Sequence, residues 1–148
     1  MKKSLLIAAV TLISASSVFA QGPTSATQMV NEEFGVIVKE LELEPLQMHH
    51  LSKILEKKAS EVIPIKNQIF ALEERRSVMG NSDPKASAYI ENELTNLRAR
   101  IKQIHEVADD SITEHLNEEQ VAKYYDEVKP TFEEKRKVSV TRSDAAKK

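Results

Sequence analysis

The side chains best suited to bind a metal or move a proton in this 148-residue chain are its four histidines, His49, His50, His105 and His115. Imidazole coordinates zinc, and a carboxylate one helical turn away can supply a second ligand. His105 and Asp109 have that i,i+4 spacing. His49 and His50, being neighbours, would point about 100° apart on a helix and cannot easily share an ion. Two ligands make no closed site, so the pattern predicts solvated histidines and no metal centre. Covalent chemistry has less to work with. There is no cysteine and no glycine-rich phosphate loop of the Walker or dinucleotide type. The carboxylates are scattered along helix-like faces instead of converging on a pocket, so neither an enzyme nor a cofactor is expected.

Two charge runs could do weaker chemistry. Glu73-Glu74-Arg75-Arg76 and Arg98-Ala99-Arg100 read most simply as solvated faces. Alternatively, Arg75, Arg76, Arg98 and Arg100 line a surface that attracts acidic partners, since arginine stems cover apolar surface while the heads pair with carboxylates.

The most structured local pattern is Leu116-Asn117-Glu118-Glu119-Gln120-Val121. Asn117 is a strong N-cap, because its side-chain oxygen can accept an orphan backbone N–H of the first helical turn. Gln120 can reach back to the N–H of Asn117 as a capping box, and Leu116 can clasp Val121 as a hydrophobic staple. Glu119 and Lys123 add an i,i+4 ion pair. A second copy stands at Leu43-Glu44-Pro45-Leu46-Gln47-Met48, where Leu43 and Met48 supply the staple and Gln47 the third-position amide. Its cap position holds Glu44, a poor capping residue.

These motifs need helices to position them. Val30, Phe34, Ile37 and Leu41 recur at helical steps and predict a first helix over 28–42, with a short strand through Val36-Ile37-Val38 as the competing reading. A second helix should start near Pro45, with a stripe of Leu51, Leu55, Val62, Ile65, Ile69, Leu72 and Met79, kinked at Pro64. Gly80-Asn81-Ser82 stops it, and Asp83-Pro84 restarts the chain as N-cap and first residue. Ile90, Leu94, Leu97, Ile101, Ile104 and Ala108 form a heptad-like seam on a third helix, which should fold back on the second as an antiparallel hairpin. A fourth helix is expected over 118–128, ending before Pro130. The fold class predicted is all-α: a long kinked hairpin flanked by shorter helices.

The chain ends are polar or basic. Lys2-Lys3, the apolar run Leu5 to Ile13 and small residues up to Ala20 read as a secretory signal cleaved after Ala20. That run is too short to span a bilayer, and no stable membrane insertion is expected. Its removal takes away two lysines, so the net charge moves from −2 to −4, which gives no support for nucleic-acid binding. Residues 21–27 read as a flexible leader, 28–130 as the helical domain and 131–148 as a mobile basic tail. A chain of this size with no disulfide has too little surface of its own to cover both seam and flanks, which predicts a homodimer.

Signal, paired Leu-Thr-x-x-Gln-like motifs, proline-containing second helix, Asp-Pro restart and heptad-patterned third helix together resemble the CpxP/Spy family of periplasmic stress proteins, over about residues 40–128. Glu44 and Asn117 stand where the family motif has threonine. The resemblance implies a bowed helical dimer in the periplasm. It further implies an ATP-independent chaperone that cradles unfolded or misfolded envelope proteins, or an adaptor that docks on an envelope-stress sensor kinase. Some relatives bind metals, so a metal-responsive binder is a third role. The motif residues carried over are Leu43, Gln47, Leu116, Asn117 and Gln120, which the residue chemistry reads as helix caps.

Overall fold

Ser25 opens the first helix, its hydroxyl accepting the backbone N–H of Gln28 at 3.1 Å. In the computed structural model, which describes residues 25–80 and 82–135, every element is helical and no strand occurs among the described residues. The stretch expected to be a secretory signal, most of the expected leader and residues 136–148 lie outside the described residues. Helix α1 spans Ala26–Glu40, α2 Pro45–Met79, α3 Pro84–Thr113 and α4 Glu118–Lys123. None of these helices is long and apolar enough to cross a membrane.

In α1 the run Val36-Ile37-Val38 is helical. A strand would send alternate side chains to opposite faces, whereas the helix puts Ile37, fully buried, beside half-buried Val30 and Phe34 and against Leu41. α2 starts where expected, with Pro45 at its first position. It runs for 35 residues as a single element with Pro64 inside it, its core face carrying Leu51, Leu55, Ala59, Val62 and Ile65. Gly80 then takes a positive φ of 55°, a conformation costly for any residue with a Cβ, and its N–H closes on the Arg76 carbonyl at 3.1 Å. One carboxylate oxygen of Asp83 accepts the N–H groups of Lys85 and Ala86 at 3.0 and 3.1 Å, so the restart is capped twice.

α3 returns antiparallel along α2. Cross-hairpin ion pairs fix this direction: Arg76 meets Glu91, and Arg98 meets Glu73 at 2.8 Å, so partner numbers rise on one helix as they fall on the other. The core is thickest at the end away from Gly80. There Ile37, Leu41, Leu51, Leu55, Ile112, Tyr124, Val128 and Phe132 form one buried cluster drawn from α1 and the residue that ends it, from α2, from α3 and from the segment that follows α4. Towards the hairpin tip only Ile90 and Leu94 are buried, while Ile69, Leu72 and Leu97 remain half-exposed.

The C-terminal part departs from expectation. α4 ends at Lys123, but the helical path does not stop before Pro130; a π turn covers Tyr124–Val128, with Lys129 donating its N–H to the Tyr124 carbonyl, and helix continues over 129–135. Proline has no N–H to give, and the widened turn ahead of it absorbs the gap. The gain is apolar burial, because Tyr124, Val128 and Phe132 recur every four residues and all three lie in the core. Residues 131–135 therefore belong to the folded unit, not to a tail.

Candidate functional site

The two motif glutamines meet. Gln47 and Gln120, 73 positions apart, form a reciprocal amide pair, Gln47 Nε2 donating to Gln120 Oε1 at 2.8 Å and Gln120 Nε2 donating to Gln47 Oε1 at 3.2 Å. Each also closes its own capping box, Gln47 Oε1 accepting from Glu44 N at 2.9 Å and Gln120 Oε1 from Asn117 N at 3.0 Å. Each amide nitrogen spends its second proton on the other segment. Gln47 donates to the His115 carbonyl at 2.9 Å, and Gln120 to the Glu42 carbonyl at 2.6 Å. Those carbonyls stand two residues before the respective N-caps, so the arrangement has a local pseudo-twofold symmetry.

This geometry explains the residue type. A primary amide has two donors and two acceptor lone pairs, and both glutamines have all four engaged. Glutamate could not donate, and asparagine is one methylene shorter. Leu43 and Leu116, which precede the N-caps, pack half-buried on the same apolar cluster. Asn117 accepts from the Gln120 N–H at 2.9 Å, as its cap role predicts. The motif residues form one joint that fastens the start of α2 to the start of α4, a convergence that separate capping boxes do not signal.

The arginines divide into two kinds. Arg76 and Arg98 hold α2 to α3 through Glu91 and Glu73, so two of the four candidate binding cations are engaged within the fold. Arg75 and Arg100 are exposed and take no carboxylate partner among the described residues. Arg100 lines a shallow groove of about 540 Å3 with Asn96, Ala99, Lys102, Gln103 and Glu106 on the outside of α3.

The histidines also sort by position. His50 and His115 stack face to face, with ring centroids 4.5 Å apart and planes 5° from parallel, and His49 stands edge-on to His50 at 6.0 Å. His105 and Asp109 are both buried. Asp109 is committed to protein groups, accepting from the Tyr124 hydroxyl at 2.7 Å through one oxygen and facing Lys129 Nζ at 3.4 Å through the other. The π turn makes this possible, since its i→i+5 hydrogen bonding brings residues five apart toward one face. Among the described residues no group of three or more His, Cys, Asp or Glu could hold a metal ion.

Sequence reasoning missed one further buried pair. Lys58 Nζ lies 2.7 Å from Glu33 Oε2 and 5.5 Å from the Phe132 ring centroid, tying α1, α2 and the C-terminal helix together. A lysine on the apolar side of α2 with a glutamate facing it from α1 was the available signal. No family model, no curated protein and no solved structure matches the chain.

Proposed function

We propose that this protein is exported to the periplasm and there binds unfolded or misfolded envelope proteins without ATP, as a homodimeric helical chaperone. The observation that carries the reading is the set of large apolar side chains left exposed among charged neighbours. Phe70 at 53%, Val78 at 83% and Tyr89 at 60% stand towards the hairpin tip, and Val107 at 59% and Leu46 at 67% stand towards the joint. Large apolar side chains left in water on a rigid support are what a weak, reversible binder of apolar segments requires. With Arg76 and Arg98 engaged in the hairpin, Arg75 and Arg100 are the cations assigned to acidic client segments.

The test is suppression of aggregation of an unrelated unfolded protein at near-stoichiometric ratio, with light scattering of the purified chain for its mass. Protection that weakens when Phe70 and Tyr89 become serine supports the reading. Changing Arg75 and Arg100 to glutamine should reduce protection at low salt and matter little at about 1 M, where the Debye length is about 3 Å. Full protection by the Phe70/Tyr89 variant would refute the assigned surface. Absence of protection by the wild type would favour the adaptor role at a sensor kinase.

A further inference from the structure

The C-terminal segment fills a groove that the other helices build. Ile37 and Leu41 line it from α1 and the residue that ends it, Leu51 and Leu55 from α2, and Ile112 from α3. Into it the segment lays Tyr124, Val128 and Phe132 at four-residue steps, the pattern by which an amphipathic helix occupies an apolar groove. Asp126, Glu127, Glu133 and Glu134 are exposed. We propose that residues 124–135 are a self-bound strap on a helix-binding groove, and that the strap opens where α4 meets the π turn to admit an amphipathic helix of a partner protein.

Two features separate a strap from one more core helix. The first is what lies beneath it. Lys58 Nζ, 2.7 Å from Glu33 Oε2, stands over the Phe132 ring, and Asp109 holds the Tyr124 hydroxyl at 2.7 Å and Lys129 Nζ at 3.4 Å. Charges withheld from water lose in hydration much of what their pairing gains. When the segment lifts, these groups regain water, which offsets part of the cost of baring the apolar groove. An apolar seam of the same area would have no such offset.

The second feature is the attachment. After α4 the hydrogen-bond ladder widens to i→i+5, and Pro130 has no N–H to give. Gln120 meanwhile ties α4 to the start of α2. The segment can therefore swing away at the π turn while the joint stays closed. The partner helix that fits carries large apolar residues at the same four-residue steps, with a cation one residue after the central one to reach Asp109 as Lys129 does. This groove is separate from the exposed hairpin side chains, and the inference does not depend on what they bind.

The experiment is native-state hydrogen exchange on the purified protein in low urea, with a labelled synthetic peptide of residues 124–135 as the probe of the open groove. The backbone N–H groups of Lys129 and Phe132 report on the strap, and those of Leu55 and Ile112 on the body. Strap amides should exchange at least about tenfold faster than body amides and with a smaller urea slope, the mark of a local opening. Phe132→Ala removes apolar burial worth about a ten- to hundredfold change in the closing equilibrium. It should speed strap exchange by that factor while the helical circular dichroism of the body is kept. Peptide binding should tighten in step, because apparent affinity scales with the open fraction. Glu33→Leu with Lys58→Met should instead slow strap exchange, since opening no longer rehydrates a charge pair. Strap and body amides that exchange together with one urea slope would overturn the strap. So would a Phe132→Ala protein whose strap opens but which binds no more peptide than the wild type. If Phe132→Ala does not fold, the wild-type exchange pattern and the Leu/Met variant decide.

Discussion

Replacing Gln120 by alanine deletes four hydrogen bonds at once: the acceptors for Asn117 N and Gln47 Nε2, and the donors to the Glu42 carbonyl and Gln47 Oε1. Each is worth about 0.5–1.5 kcal/mol net. Asn117 and Glu42 lie on exposed residues, so water replaces part of what those two groups lose, whereas the Gln47 amide is only half-exposed. The expected loss is about 2–3 kcal/mol, against about 1 kcal/mol for Asn117→Ala, which removes only a cap. The sharper test is the cycle with Gln47→Ala. Because the glutamines share two bonds, the double variant should be less destabilised than the sum of the singles by about 1–2 kcal/mol. Gln120→Glu should be worse than alanine near neutral pH, since it sets a buried carboxylate against the Glu42 carbonyl and Gln47 Oε1, two acceptors that alanine merely leaves unpaired. Urea unfolding followed by helical circular dichroism measures all of these. Additivity to within about 0.5 kcal/mol would mean that the glutamines cap their helices independently and that the joint does not exist as a unit.

Three further perturbations test other parts of the fold. Glu33→Ala leaves the Lys58 ammonium buried without its carboxylate and should cost about 3–5 kcal/mol, whereas Glu33→Leu with Lys58→Met should recover most of it; thermal melts of both decide. Tyr124→Phe strands an oxygen of buried Asp109 and should cost about 1–3 kcal/mol, read from the midpoint of unfolding. Glu56 is exposed, yet the hydrogen bond and charge of Lys53 hold its carboxyl below the usual carboxylate range. This contribution is present above the ordinary glutamate range and is lost as pH falls through the lowered one, and an NMR titration should show the Glu56 midpoint rising in Lys53→Gln.

The helices were legible because their signals are local. Pro45 and Asp83-Pro84 mark starts, Gly80 marks a stop, and the Ile90 to Ala108 seam repeats over five turns with no competing period. The C-terminal segment was misread for a related reason. Pro130 is a strong local stop signal, and the force that overrides it is tertiary: Phe132 is 2% exposed in a cluster built from residues up to 95 positions away, starting at Ile37. Nothing within a window around Pro130 carries that information. The arginines show the same limit, since the spacing of Arg76 and Arg98 places them on helix surfaces and only the hairpin register gives them Glu91 and Glu73.

The candidate site was legible residue by residue and illegible as a site. Each Leu-x-x-x-Gln copy announces a helix start, and each alone would be complete with its reach-back bond. A capping box, however, uses only one lone pair of the glutamine and leaves two N–H donors and one acceptor to satisfy. For a residue as enclosed as Gln120, 8% exposed, water cannot supply all of these, so burial demands a second polar surface of matching pattern. The other copy of the same motif is such a surface, because it presents the mirrored set: an amide, plus a carbonyl two residues ahead of its cap. Two identical capping glutamines can therefore saturate each other where one would be left unsatisfied. That makes the repetition of the motif, more than its threonine or asparagine cap, the feature that fixes how the start of α2 meets the start of α4. It also accounts for the tolerance of Glu44 at a cap position, since the bonds that hold the joint run through glutamine side chains and main-chain groups.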